Sequence, residues 1–244
     1  LNNKLSIFMI HKLTLKNFFS FRDEVTVNFV VDGHAPDTDA YFTDSFGNRI
    51  SKIMTVVGAN ASGKTNLLKS VEFLKWFIID SFSDLEPDAL ITKSDNEIFK
   101  QFVFCKEESA SSFEIVFGLS DCIYKYNLEL TKERVLSEKL EFKLESKRWN
   151  LAFSRAFNPE INDYENNFAK LELPSDFNKL VRANSSVLSA AKQISNPEAV
   201  KIVNYFSKLE TSFDEMGAPN KNVHKALYNV AEFYHKRPEI KEKV

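Results

Sequence analysis

Glycine is the first scarcity. Six glycines in 244 residues is about a third of ordinary usage, ~7%. A chain this poor in glycine can make few turns that need positive φ, so the places where glycines do occur carry weight. Cysteine is nearly absent too. Cys105 and Cys122 are too few for the disulfide framework of a secreted domain, and both fall in apolar, strand-like stretches expected to hold buried free thiols. No CxxC pair or Cys/His cluster has zinc spacing, and the four histidines (11, 34, 224, 235) are scattered, so no metal centre is expected from them. The densest apolar patch, Trp76-Phe77-Ile78-Ile79, is four residues long, far below the ~18 of a membrane span. Neither sign of charge dominates: 32 Lys plus Arg stand against 34 Asp plus Glu, net −2, which excludes a basic or acidic tail as the main feature. Repeats and low-complexity segments are also lacking. The first residue is Leu and no signal-peptide pattern follows it, so residues 1–8 read as a non-native or extended N-terminus and the cytoplasm as the compartment.

What is present in excess is phenylalanine, 23 residues. With 43% hydrophobic and 27% charged residues, the composition is that of a globular protein able to bury a core without staples. The length allows one large domain or two small ones. The pattern suggests a head over residues 9–173 and a helical region over 174–244.

Local periodicity sets the expected elements. Ile10 to Lys16 reads as a strand, and Val25, Val27, Phe29 and Val31 alternate as another. Residues 32–51, with Gly33, Pro36 and Gly47-Asn48, read as a loop or irregular hairpin. Ile53 to Val57 is a short apolar run suited to a strand buried on both faces. From Leu67 to Ile78 apolar residues recur at three and four, which is helical. Between about Phe99 and Phe157 the period returns to two: Phe113, Ile115, Phe117; Tyr124, Tyr126, Leu128, Leu130; Leu140, Phe142, Leu144. This predicts an antiparallel meander, with the charged run 132–148 read as a solvated sheet face. Asn196-Pro197-Glu198 is a helix start leading into Val200, Val203, Phe206 and Leu209. Beyond Gly217 and Pro219, Val223, Leu227, Val230 and Tyr234 predict a further helix.

One motif carries chemistry. Gly58-Ala59-Asn60-Ala61-Ser62-Gly63-Lys64-Thr65 fits the G-x-x-x-x-G-K-[ST] phosphate loop. Gly58 and Gly63 permit backbone angles that a side chain would forbid, so successive N–H groups can turn inward as an anion-binding nest. The helix that follows adds its positive end. Lys64 is placed to bridge the β- and γ-phosphates, and the Thr65 hydroxyl to ligate Mg²⁺. The alternative is an ordinary glycine-containing turn between strand and helix.

Extended through Leu74, GANASGKTNLLKSVEFL, together with LKNFFSF (Leu15 to Phe21), resembles the ABC-type ATPases related to SMC proteins, in the AAA-family branch found beside bacterial restriction and phage-defence genes. Arg182 to Gln193, RANSSVLSAAKQ, resembles a helical segment of the same branch. The resemblance implies an α/β fold: a phosphate-loop core merged with an antiparallel β-meander, then a helical region. It implies ATP and Mg²⁺ as ligands and heads that pair in a homodimer or larger oligomer, controlling an effector protein or nucleic acid. It places Lys16, Asn17 and Ser20 near ribose and phosphates, matches Asn60 and Asn66 to family positions, and makes Gln193 and Gln101 candidates for a glutamine near Mg²⁺.

Other parts of an ABC site are not found. Such a site needs an apolar strand ending in Asp-Glu, a glycine-rich signature and a switch histidine. Trp76 to Asp80 has suitable letters but continues the helix after Thr65. Asp214-Glu215 follows no apolar strand. Leu188 to Gln193 lacks the signature's glycines. The chain therefore looks like the N-terminal part of an ATPase head. Three readings stand: an ATPase subunit of a defence system, a nucleotide-holding assembly module without turnover, and a small-molecule kinase.

Overall fold

The computed structural model describes residues 9–36, 38–87, 89–91, 98–104, 109–144, 148–168 and 171–211. Cys105, His224, His235, Asp214-Glu215 and the expected helix after Pro219 lie outside them.

Seven strands form one sheet: β1 (Met9–Lys16), β2 (Val25–Asn28), β5 (Ser111–Leu119), β6 (Cys122–Leu130), β7 (Val135–Lys143), β8 (Asn150–Asn158) and β9 (Asp163–Asn167), in the order β2-β1-β5-β6-β7-β8-β9. Every neighbouring pair is antiparallel. β3 (Tyr41–Thr43) and β4 (Arg49–Ser51) form a separate hairpin. Gly47 closes it at φ 80°. Three helices follow the sequence expectation: α1 (Lys64–Asp84), α2 (Val187–Gln193) and α3 (Pro197–Phe206), with a 3₁₀ turn at Phe177–Lys179. The fold is thus mixed α/β, with a large antiparallel sheet and a few helices.

Period two explains the sheet's burial. Leu13 and Leu15 of β1, Phe113, Ile115 and Phe117 of β5, and Tyr124, Tyr126, Leu128 and Leu130 of β6 all face one core. Onto that face α1 lays Phe73, Leu74, Phe77 and Ile78, and α2 and α3 add Val187, Leu188, Ile202 and Phe206. The helices after residue 174 share this core with the sheet. Phenylalanine abundance has a local purpose. Phe18, Phe73, Phe99 and Phe113 form a cluster with centroids 4.9 to 6.2 Å apart, in tilted and edge-on arrangements favoured by the ring quadrupoles. This cluster lies under the first turns of α1.

Two expectations are corrected. Ile53 to Val57 forms no strand, and Ile53 and Val57 are 76% and 84% exposed. The reason is pairing: no strand among the described residues runs beside it, so its side chains face solvent. The run 132–148 is not uniformly solvated either, because Glu138 of β7 is fully buried.

That glutamate anchors α2. Its carboxylate accepts from Tyr126 Oη (2.9 Å), Ser186 Oγ (2.7 Å), Val187 N (3.0 Å) and Arg155 Nε (3.0 Å). Arg155, itself buried, also donates to the Arg182 and Ser185 carbonyls. Arg182 and Asn184 then reach across to the carbonyls closing α1: Arg182 donates to Leu85 and Phe82, Asn184 to Glu86 and Ala89. The segment resembling the defence-associated branch is therefore a buried polar tie between sheet, α2 and the far end of α1. Buried charges persist where partners satisfy them, as Glu138 and Arg155 do for each other.

Candidate functional site: the phosphate loop and the turn beside it

The phosphate loop runs from the exposed segment 53–57 directly into α1. Ser62 N donates to the Ala59 carbonyl, and Ala61 and Gly63 take φ of 63° and 92°. Alternation of ordinary and left-handed residues turns successive N–H groups toward one side, the geometry of an anion nest. Residues 59–62 are exposed and Gly63 is buried. Lys64 Nζ donates to the Gly58 and Ala59 carbonyls at 2.8 and 2.6 Å, which holds the ammonium over the mouth of the loop. Thr65, in the first turn, is exposed.

The start of α1 differs from the other two helix starts. Ser186 caps α2 by accepting from Leu188 N, and Asn196 caps α3 by accepting from Ala199 N, with Glu198 in that helix's first turn. At α1, Gly63 offers no side-chain cap, and the first turn holds no acid. A helix start leaves several N–H groups without intrahelical partners and carries partial positive charge. In α1 neither a side chain nor an acid neutralises that end, so loop, helix start, Lys64 ammonium and Thr65 hydroxyl converge as one phosphate-sized donor set. Their chemistry suits a polyphosphate with Mg²⁺.

The neighbouring element is a tight turn, Asn17 to Arg22. Phe18 and Phe21 exchange backbone hydrogen bonds at 2.9 Å, and Asn17 and Phe19 both take positive φ, 52° and 49°. Such angles in non-glycine residues are held in place by their surroundings. Asn17 is buried; its amide nitrogen donates to Ser109 O (2.6 Å), Ser109 Oγ (2.9 Å) and Ala110 O (3.2 Å), and its oxygen accepts from Phe102 N at 3.1 Å. Ser20 comes closest to the loop. Its Oγ accepts from Asn66 Nδ2 at 2.9 Å and lies 2.7 Å from where a Cβ on Gly63 would stand; Phe21 is 3.2 Å from the same point. Gly63 therefore lacks a side chain for two reasons, its φ and this close approach.

The expected site residues divide accordingly. Gly58 to Asn66 form one contiguous surface. Ser20 joins it, and Asn17 supports the turn from beneath, its side chain fully engaged. Lys16 ends β1 exposed. Gln101 donates to Ser109 O at 2.8 Å, beside Asn17's partners. Gln193 does not come to the loop. It donates to Ser83 Oγ at 3.0 Å, near the far end of α1, about 28 Å from Lys64 at ~1.5 Å per residue. Asp80 lies on α1 and pairs with Lys192 at 3.3 Å, so Trp76 to Asp80 is helix, as its position predicts. Sequence reasoning missed the Ser20–Asn66 contact and the Asn17 hub. The NFFSF spelling was their only signal.

Comparison with known families agrees with this geometry. Residues 53–244 match the family model described as "AAA domain, putative AbiEii toxin, Type IV TA system". The chain belongs to this AAA-domain family. It is thereby placed among the P-loop ATPases, the nucleotide-binding class that the loop's spelling announces. The match begins at Ile53, at the exposed segment before the loop, and β1 and the NFFSF turn lie outside it. No curated protein matches the chain. Among the described residues no helix is long and apolar enough to cross a membrane, and no cluster of three or more His, Cys, Asp or Glu could hold a metal.

Proposed function

We propose that this AAA domain binds Mg-ATP through Gly58 to Thr65 and serves as an ATPase subunit of a bacterial defence system related to the SMC-like ABC proteins. The observation that carries the reading is the uncapped, acid-free start of α1 behind a loop with Lys64 over its mouth. Loop amides and the helix end would hold the phosphates, Lys64 would bridge the β- and γ-phosphates, and Thr65 would contribute its hydroxyl to Mg²⁺. Bound there, Mg²⁺ neutralises phosphate charge. The family description, with its AbiEii toxin and Type IV TA system, supports a defence or toxin–antitoxin setting. In this reading ATP closes two heads together in a homodimer or larger oligomer, and closure controls an effector protein or nucleic acid. The exposed run Ile53 to Val57 supports completion of the head by a further segment or subunit.

A second reading has its own observation. Asp80 sits on α1 rather than at the end of a strand beside the loop, so these residues do not supply the acidic pair of a hydrolytic site. A nucleotide-holding assembly module without turnover fits that arrangement. Steady-state phosphate release by the purified 244-residue chain separates the two. Multiple turnovers per chain, lost in Lys64→Ala, support the ATPase; tight ATP binding with no turnover supports the module.

A further inference from the structure

Ser20 and Asn66 have a role that follows from their contacts rather than from the phosphate-loop motif. Asn66 is the third residue of α1, and its side chain donates to Ser20 Oγ at 2.9 Å. Ser20 and Phe21 in turn press on Gly63, within 2.7 and 3.2 Å of the space a Cβ would fill. The turn they belong to is itself fixed from the other side, because Asn17 is buried and bonded at four points to Phe102, Ser109 and Ala110. Lys69 adds a further tie, its ammonium 4.8 Å from the Phe19 ring. The loop's own mouth, by contrast, is exposed.

We propose that Ser20 and Asn66 are positioning residues: their hydrogen bond clamps the NFFSF turn onto Gly63 and keeps the phosphate loop in its anion-binding shape. Asn17 is the anchor of that clamp, not a nucleotide contact. The physical reason is entropic. A glycine at positive φ would otherwise sample many conformations, and only the nest-forming one binds phosphate. A wall against Gly63 removes the alternatives before the nucleotide arrives, which raises affinity by preorganisation. This rests on the reading of the loop as an ATP site.

The test is a double-mutant cycle in the full chain. Ser20→Ala, Asn66→Ala and the double variant are titrated with a fluorescent ATP analogue plus Mg²⁺, and their thermal melting is recorded without nucleotide. Each single change should weaken binding roughly threefold to tenfold, the span of one net hydrogen bond. The double variant should be no weaker than either single one, and melting should stay within a degree or two. Effects that multiply would overturn the proposal, since each residue would then touch nucleotide independently. Unchanged affinity in both single variants would overturn it as well. Hydrogen exchange without nucleotide gives a second arm. The Phe18 and Phe21 amides, which close the turn, should exchange faster in Asn66→Ala; equal rates refute the clamp even if the chain proves to bind no ATP. In that case Lys64→Ala would match the wild type in the titration, so failure of the ATP reading is told apart from failure of the clamp.

Discussion

The two ends of α1 are built on opposite plans. At its C-terminal end, Ser189 and Arg182 donate to carbonyls of the last turns, Asn184 to carbonyls just beyond them, and Ser81 accepts from Ser186 N, with Glu138 and Arg155 behind them. Ser81, Asn184, Ser189, Glu138 and Arg155 are all buried there, each with at least one hydrogen-bond partner. At its N-terminal end Gly63 leaves the helix uncapped, the loop is exposed, and three non-glycine residues nearby, Asn17, Phe19 and Ala61, hold left-handed angles. One end uses its polar groups to hold the fold. The other leaves its helix start without a side-chain cap and accepts backbone strain. A helix start that binds an anion cannot also be capped by its own side chains, so stability must come from elsewhere along the same helix. The Phe18–Phe73–Phe99–Phe113 cluster and the far-end network supply it.

Substitutions should expose this division. Glu138→Ala leaves Arg155 buried without its partner, and breaking a buried pair costs about 3–5 kcal/mol. Denaturant unfolding should show a loss of that size, while nucleotide affinity of the folded fraction stays near wild type. A large affinity change with little loss of stability would erase the contrast. Gly63→Ala comes next. It forces a side chain into left-handed backbone against Ser20 and Phe21, a strain of about 1–3 kcal/mol, and should also abolish nucleotide binding, measured by fluorescence titration.

Acid should act first around His11 and Asp44. His11, buried on β1, has its pKa lowered by burial; Asp44, whose carboxylate lies 3.7 Å from Nε2, opposes the shift, and Lys143 adds to it. Because the folded value lies below the ordinary 6.5, this residue's contribution is complete above that pH and is lost as the pH falls through the folded value. Hydrogen exchange between pH 7 and 5 should show the β3–β4 hairpin, which holds Asp44 and precedes the loop, opening before α2. His11→Gln should remove that dependence. The smallest effect on stability belongs to Lys64→Ala, a change outside the core expected to stay within about 0.5 kcal/mol in denaturant unfolding.

The same contrast explains what could be read from the residues alone. The phosphate loop and the β5–β8 meander are local patterns, a fixed spacing and a period of two, so both were legible. The run Ile53 to Val57 was misread because burial of a strand depends on neighbours distant in sequence, and local hydrophobicity cannot report them. Glu138 looked like one more charge on a solvated face; its burial depends on Arg155, Ser186 and Tyr126, brought together only by the fold. Asn17 was expected near the nucleotide because of its motif, yet its bonds span more than 90 residues to Ser109 and Ala110. Period and spacing reveal elements and loops. Non-local polar partnerships become visible only with the fold.

The central claim is that the exposed, uncapped end of α1 is a nucleotide site. Calorimetric titration of the wild-type chain and of Lys64→Ala with ATP and Mg²⁺, alongside melting curves for both, tests it most directly. The account predicts saturable binding by the wild type, affinity at least tenfold weaker in the variant, and matching melting temperatures without nucleotide. Equal affinity in the two proteins would contradict it.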